Sequence, residues 1–465
     1  MIVTQPVVVI GAGPVGLAAA AHLAERGLEF LVLESGSSVG AAIDEWRHVK
    51  LFSPWRYDID GAARRLLETS EWIEPNLDEL PTGGDLIDDY LAPLAKTPKL
   101  ADRIRYGADV TAVTRVGFDR IRTAGREEAP FLVRLADGEE VLASAVIDAA
   151  GTWRRPNVLG GSGIPARGES DVAEGISRAL PDVFGRDRER FAGRRTAVVG
   201  AGHSAATTLL ELGELCEHEP GTEVLWVVRG ADQARTYGGG DADELPARGA
   251  LGARLKRLVQ SGRVELVSSF RIESVARSAD GRVELTAGDR QVVVDTVVNS
   301  TGFRPDHDMV GELRLDLDPI LGSTRALAPL IDPNQHSCGT VPPHGVDELQ
   351  HPEPGYYAVG AKSYGRAPTF LLATGYEQAR SVVAALAGDW EAARDVQLNL
   401  PETGVCSSNL AYGDSADEAA GGCCGPAPQA VTIEAPVGRG LATGISGGLL
   451  TVIDAAPSTQ SSCCN

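Results

Sequence analysis

Three glycines follow a short apolar stretch near the start of the chain, in the segment PVVVIGAGPVGLAAAAHLAERG. Gly11 permits a tight turn, Gly13 lets a pyrophosphate approach the backbone, and Gly16 lets a helix lie close to the preceding strand. The helix N-terminus then faces the phosphates with unpaired amides and the positive end of its dipole. The next apolar stretch, EFLVLE, ends in Glu34, whose carboxylate can accept both hydroxyls of a ribose. The spacing predicts a strand, loop, helix and strand that together bind a dinucleotide.

The pattern returns in RTAVVGAGHSAATTLLELG, where Ala205 takes the place of the third glycine. The following stretch, TEVLWVVRG, ends in Arg229, and a guanidinium at that corner suits a 2′-phosphate. NADPH is therefore favoured over NADH, with a surface arginine at a strand end as the alternative. The candidate coenzyme-binding residues of this second unit are Gly200, Gly202, His203, Ser204 and Arg229.

A third element, DTVVNSTGFRPD, is an apolar strand that runs into Thr301 and Gly302. The order of the three elements resembles the two-dinucleotide-binding-domain flavoproteins, which include flavin-containing monooxygenases and thioredoxin-reductase-like enzymes. The resemblance implies that the first site holds FAD, that the second holds NAD(P)H, and that the third strand returns the chain to the FAD domain.

The fold class implied is α/β, with two Rossmann-like domains and the NAD(P)H domain inserted in a discontinuous FAD domain. We expect FAD-binding parts at residues 1–165 and 296–395, the NAD(P)H-binding domain at 166–295, and a weakly ordered cysteine-containing tail at 396–465. The phrases RHVKLFSPWRYDID, AAGTWRRPN and VGAKSYGRAPTFLLATGYEQAR also resemble the flavin-dependent monooxygenases of bacterial arsenic-resistance operons. This narrower similarity covers most of residues 1–406.

Three functions are consistent with a protein that has two nucleotide-binding sites, and they differ in what happens to the electrons. In the first, the electrons reach oxygen, which is then transferred to a soft nucleophile such as a trivalent arsenical. In the second, they reach a disulfide or a metalloid through cysteines, although neither domain contains CxxC or CxxxxC. In the third, the protein is a flavin-bearing redox sensor or a metalloid-binding protein. The stretch LGGSGIPARGE lacks the histidine of the FxGxxxH segment of flavin-containing monooxygenases, so their substrate range does not carry over.

Further candidates surround the flavin that the resemblance implies. Trp55 and Arg56 follow a loop that approaches the flavin ring in related proteins, and ordinary packing is their alternative. In VGAKSYGRAPTF a strand ends at Gly360, and a helix that starts near Pro368 or Thr369 would aim its amides at the flavin. The residues assigned to catalysis are Lys362, Arg366, Tyr237 and Cys338.

The tail carries two pairs of adjacent cysteines, in GGCCGPAP and at the end of the chain. Soft thiolates favour thiophilic ions, so Cys423 and Cys424 are candidates for metalloid capture. An incidental cysteine-rich tail is the alternative.

Charge and composition limit the classes of binding partner that we expect. The formal net charge of −21 disfavours nucleic acid and anionic membranes. No apolar run reaches the length of a membrane span, and seven cysteines form an odd number, so we expect a soluble, cytoplasmic protein that acts on a small molecule. A homodimer is left open.

Overall fold

The computed structural model of the protein describes residues 5–237, 246–335, 341–368 and 370–398. These residues all lie within one compact part of the chain, residues 1–412. Four predicted site residues lie outside the described ones, namely Cys338, Thr369, Cys423 and Cys424.

The described strands are β1 (Val7–Ile10), β2 (Phe30–Leu33), β3 (Ile104–Arg105), β4 (Val110–Arg115), β5 (Phe131–Leu135), β6 (Glu140–Ala143), β7 (Ala145–Asp148), β8 (Ile176–Arg178), β9 (Arg195–Val199), β10 (Glu223–Val227), β11 (Val264–Val267), β12 (Ser274–Arg277), β13 (Val283–Ala287), β14 (Arg290–Val294), β15 (Thr296–Asn299) and β16 (Tyr356–Ala358). The described α-helices are α1 (Pro14–Glu25), α2 (Ala41–Asp44), α3 (Trp55–Asp58), α4 (Gly61–Leu67), α5 (Gly83–Asp85), α6 (Ala92–Ala95), α7 (His203–His218), α8 (Ala234–Tyr237), α9 (Pro246–Gln260), α10 (Ala328–Ile331), α11 (Val346–Leu349), α12 (Leu372–Leu386) and α13 (Trp390–Arg394). A π-helical segment spans Leu86–Leu91.

The first sheet has five parallel strands in the order β16, β7, β1, β2 and β3. Its central strand β1 is apolar and completely buried, as expected for a parallel sheet covered on both faces. The small side chains of α1 let this helix pack closely in the same core, against α12. The carboxyl ends of β1, β2, β7 and β16 therefore meet at one edge, where α/β sheets bind ligands.

The second sheet repeats this arrangement with the order β11, β10, β9, β15 and β8, again all parallel. In each unit a three-stranded antiparallel sheet precedes a strand that returns to the parallel sheet. The strands β4 to β6 lead to β7, and β12 to β14 lead to β15. The α/β fold with two Rossmann-like units is thus observed.

One expectation about the third element is wrong. We expected the strand within DTVVNSTGFRPD to return the chain to the FAD domain, with the boundary at residue 296. Instead β15 lies between β9 and β8 and completes the second sheet, because it is that unit's counterpart of β7. The chain rejoins the first sheet at β16. None of the helices in the described part of the chain is long and apolar enough to cross a membrane.

Candidate active site

The first glycine loop connects β1 to α1, and two of its glycines are required by close backbone contacts. Gly11 has φ +98°, and a Cβ there would lie 2.9 Å from the Ala149 carbonyl oxygen. A Cβ at Gly16 would lie 1.9 Å from the Gly11 carbonyl oxygen. Gly13 is different, because a Cβ there would meet nothing within 4 Å. The loop therefore presents an open backbone surface at the N-terminus of α1, as a pyrophosphate requires.

Glu34 lies at the end of β2 and is fixed against this loop. Its Oε2 accepts a hydrogen bond from the Ala12 N–H at 2.7 Å, and its Oε1 accepts one from the Gly36 N–H at 2.7 Å. Glu34 is 8% exposed. An open glycine next to an oriented carboxylate fits the phosphate and ribose of FAD.

The second loop has the same geometry between β9 and α7. Gly200 has φ +137°, and a Cβ there would lie 2.0 Å from the Ser300 carbonyl oxygen, whereas a Cβ at Gly202 would meet nothing within 4 Å. The Trp226 Nε1–H donates to the Gly200 carbonyl at 2.7 Å and fixes the turn. The exposed Arg229 follows β10, and it makes no ion pair with the residues that the structure describes. This arrangement fits NADPH.

His203 and Ser204 open α7, and His203 is exposed. Thr301 and Gly302 close the neighbouring loop beyond β15. The Thr301 hydroxyl lies 3.2 Å from the Asn157 carbonyl, and Gly302 has φ +92°. The predicted residues of the second site therefore gather at one sheet edge.

Aromatic and charged side chains join the two units near the loops. Phe52, from the first unit, lies 5.3 Å from the His203 ring, and Trp153 lies 4.9 Å from Phe303 between ring centroids. The Arg178 guanidinium is 2.7 Å from the Glu45 carboxylate and also approaches the Trp153 ring.

A cavity of about 360 Å³ opens beside these contacts, at the seam between the two units. Its lining residues are Glu45, Trp153, Ile176, Ser177, Arg178, Ala179, Leu180, Pro181, Arg186, Asp187 and Arg190. We call this space the seam cavity.

Trp55 and Arg56 do not share one environment. Trp55 is buried in the core of the first unit, which is the packing alternative considered for it. Arg56 is exposed and pairs with Asp78.

The turn beyond β16 holds the remaining predicted flavin contacts. Gly360 has φ +71° and packs on Val15, in the first turn of α1. Lys362, which was assigned to catalysis, is 1% exposed, and its ammonium pairs with the fully buried Asp148. Arg366 is exposed, and its charge lowers the pKa of Arg304 after the larger effect of burial.

Two further expectations differ from the structure. The helix predicted near residue 369 begins at Leu372, because Leu371 has an extended backbone with φ −122° and ψ 151°. Tyr237 packs against Trp226 at 5.9 Å, and its carbonyl oxygen would lie 2.0 Å from a Cβ at Gly252 in α9. The structure thus places Tyr237 in the packing of the second unit.

Sequence reasoning missed the polar residues that hold the turn beyond β16. Asp148 ends the apolar strand β7, and the Tyr356 hydroxyl donates to its Oδ2 at 2.9 Å. His344 and Gln378 form a second buried contact 3.1 Å long. A carboxylate at the end of the apolar run SAVID was the one signal available in the sequence.

A family model described as pyridine nucleotide-disulphide oxidoreductase matches residues 8–337. The chain belongs to this family. It is 31% identical over 224 residues to the indole-3-pyruvate monooxygenase YUCCA1 of Oryza sativa subsp. japonica, covering 48% of this chain and 47% of the relative. It is 28% identical over 231 residues to YUCCA8 of subsp. indica, covering 47% of each. The chain thus spans about half the length of the curated relatives it matches.

Solved structures with the same fold include both monooxygenases and reductases. The bacillithiol disulfide reductase Bdr (YpdA) from Bacillus cereus matches with a TM-score of 0.60, 19% identity, and coverage of 83% of this chain and 99% of that chain. A double mutant of the flavin monooxygenase from Stenotrophomonas maltophilia matches with a TM-score of 0.55, 21% identity, and coverage of 83% and 98%. These likenesses show the fold.

The family membership and the relatives confirm several expectations. The chain has the expected α/β fold. It is an oxidoreductase of the pyridine nucleotide-disulphide oxidoreductase family, and its cofactors are FAD and NADPH.

Proposed function

We propose that this protein is a monooxygenase that uses NADPH and FAD to oxygenate a soft nucleophile, with a trivalent arsenical as the substrate. The observation that carries the proposal is the lack of a thiol pair beside either loop within the described residues, where Cys216 is the one cysteine. Cys216 lies on α7 away from the first loop, and burial raises the pKa of its thiol. A protonated, isolated thiol is a poor electron relay, which favours oxygen as the acceptor.

The reaction balances with one coenzyme and one oxygen molecule. NADPH, a proton, dioxygen and the substrate yield NADP⁺, water and the oxygenated substrate. For arsenite, two electrons come from NADPH and two from arsenic, which becomes pentavalent. Bound FAD would supply the hydride acceptor and the centre at which oxygen reacts.

The chain's own residues would orient the reactants and limit water. Gly13 and Glu34 would hold FAD, while Gly202 and Arg229 would hold NADPH. Trp153 would supply an apolar wall at the seam, and we assign the seam cavity as the passage for the substrate. This chemistry depends on a site that excludes water and on a nicotinamide that stays bound. It depends on these two properties more than on a nucleophilic side chain.

The arsenical substrate rests on the sequence resemblance and on the tail cysteines, which lie outside the described residues. We assign Cys423 and Cys424 to arsenic capture. Arsenous acid would form two As–S bonds with the two thiols and release two water molecules. Thiolates are soft ligands that select thiophilic ions.

Flavin turnover in the presence and absence of oxygen tests the proposed reaction. Under argon, NADPH should bleach the flavin absorbance, and air should restore it. NADPH and oxygen consumption are then measured with arsenite, organoarsenicals and thioethers in turn, together with the oxygenated product. Equal rates with and without every substrate, and no oxygenated product, would contradict the proposal. NADPH oxidation under argon that depends on an added disulfide would instead indicate a thiol/disulfide reductase, and reduction without turnover would indicate a sensor.

The tail assignment has its own test. The double variant Cys423→Ser/Cys424→Ser should lose arsenite binding and arsenite-stimulated NADPH oxidation. Cys216→Ser is the matched control, because that thiol lies on a described helix in the second unit. A chain ended at Pro401 that keeps both properties would remove the assignment and leave Cys338 as the next thiol to examine.

A further inference from the structure

The backbone amide of Gly360 is held by a side chain from α12. The Gly360 N–H donates to the Gln378 Oε1 at 2.8 Å. A Cβ at Gly360 would lie 3.2 Å from a methyl group of Val15, which directly follows the Gly13 turn and Pro14. Gln378 therefore fixes the peptide at which the end of β16 meets the first turn of α1.

The orientation of Gln378 determines the tautomer of His344. A backbone N–H can only donate, so the amide oxygen faces Gly360 and the amide nitrogen faces the His344 Nε2, 3.1 Å away. That Nε2 must accept. The other ring nitrogen, Nδ1, lies 3.1 Å from the Pro342 carbonyl oxygen and must carry the hydrogen. His344 thus connects the segment before α11 to the turn at Gly360.

Gln378 and His344 are buried, and each donor in their hydrogen bonds faces an acceptor. Gln378 is 0% exposed and His344 is 1% exposed. Burial lowers the pKa of His344, while the Pro342 carbonyl and the carboxylates of Glu348 and Glu377 act weakly in the opposite direction. A neutral imidazole is the form that can accept from Gln378. Replacing either partner with an apolar residue leaves a buried donor or acceptor without its bond.

We propose that His344 and Gln378 are positioning residues for FAD. Through the Gly360 amide they hold the turn at residues 360–364 against the first turn of α1, and this contact sets the width of the site beside Gly13. Ser363 supports the same turn, because its hydroxyl bonds the Gly360 carbonyl at 2.8 Å. The role concerns cofactor binding and is independent of which acceptor takes the electrons.

Two pairs of variants test the proposal through FAD affinity, the visible spectrum of the bound flavin, and the melting temperature of the FAD-free protein. Gln378→Leu and His344→Leu should bind FAD about tenfold more weakly, with a shifted flavin band, because the turn at Gly360 loses the hydrogen bonds that hold it. Gln378→Glu keeps the acceptor for Gly360, and its second carboxyl oxygen can bond His344 either by donating as the protonated acid or by accepting from a protonated imidazole. His344→Gln keeps one donor and one acceptor. Both should stay within about threefold of the wild-type affinity. The exposed Gln350→Leu is the matched control.

The outcomes separate positioning from simple packing. If both leucine variants keep wild-type affinity and an unshifted spectrum, the assignment is overturned, even if the FAD-free proteins melt earlier. If the leucine variants do not fold, the conservative pair decides. Gln378→Glu and His344→Gln with near wild-type affinity and spectrum support the proposal, and a tenfold loss in both would overturn it.

Discussion

Removal of the Lys362 ammonium should destabilise the first unit strongly. The ammonium and the Asp148 carboxylate are 1% and 0% exposed, so neither charge is screened by water. In Lys362→Met, Asp148 keeps the Tyr356 hydroxyl and the Ala150 N–H, at 2.9 and 3.2 Å, but loses its only charged partner within the described residues. Removing one member of a buried pair costs about 3–5 kcal/mol, and we expect a loss of that size.

Equilibrium unfolding in urea gives the free energy of unfolding for a complete cycle. The variants are Lys362→Met, Asp148→Asn and the double variant, with the exposed Lys99→Met as control, for which we expect a change below about 0.5 kcal/mol. The double variant should be less destabilised than the sum of the single ones by about 2 kcal/mol or more, because it leaves no buried charge unpaired. Strictly additive losses, or a Lys362→Met protein as stable as the control, would refute the reasoning.

Three further predictions concern the loops and one buried acid. Gly13→Val should fold normally, since a Cβ at this position meets nothing within 4 Å, yet purify without FAD; full flavin occupancy would show that the first loop is misassigned. Arg229→Ala should lower the ratio of NADPH to NADH efficiency by the equivalent of about 1.5–3 kcal/mol, and an unchanged ratio would remove Arg229 from the phosphate site. Burial raises the pKa of Asp58 from 3.8 to about 7, against the opposing hydrogen bond from Ser53, so the wild type should lose stability as the pH rises from about 4 to 7. Asp58→Asn should remove about 1–3 kcal/mol of that dependence, and equal slopes in thermal unfolding across pH 4 to 7 would count against it.

The parts of the site that depend on short-range geometry could be predicted from the sequence. Gly16 is required by a contact with the nearby Gly11 carbonyl, and the tight turns at Gly11 and Gly200 require a positive φ. Glu34 lies at a strand end that the preceding apolar run already indicates. In each case, strand, turn and helix leave few alternatives for the residue type.

The polar contacts between distant segments could not be predicted. Asp148 and Lys362 are separated by 214 residues, and either one alone is typical of an exposed charge. The boundary at residue 296 was misplaced for a related reason. An apolar strand such as β15 fits either sheet equally well by sequence, and its neighbours are determined by packing.

A comparison of the two units explains why the first one is discontinuous. The last residues of β7 and β15, Asp148 and Asn299, occupy the same register position beside the central strand of each sheet. Asn299 is neutral and its side chain is hydrogen-bonded within the second unit, by Asn157 and Thr301. Asp148 is charged, and its cation comes from Lys362, just beyond β16; the corresponding strand of the second sheet, β8, lies before β9 in the chain.

The second unit should therefore fold by itself, while the first should require the later segment. We expect residues 156–305, expressed alone, to show cooperative unfolding, since this range contains every strand of the second sheet and the Asn157 contacts. Residues 1–155 alone should not unfold cooperatively, because they leave Asp148 buried without Lys362 and the sheet without β16. Joining 1–155 to 306–398 by a short linker should restore cooperative unfolding. A stable fragment 1–155 would show that the carboxylate at the end of β7 does not need the distant lysine, and the difference between Asp148 and Asn299 would then not explain the discontinuity.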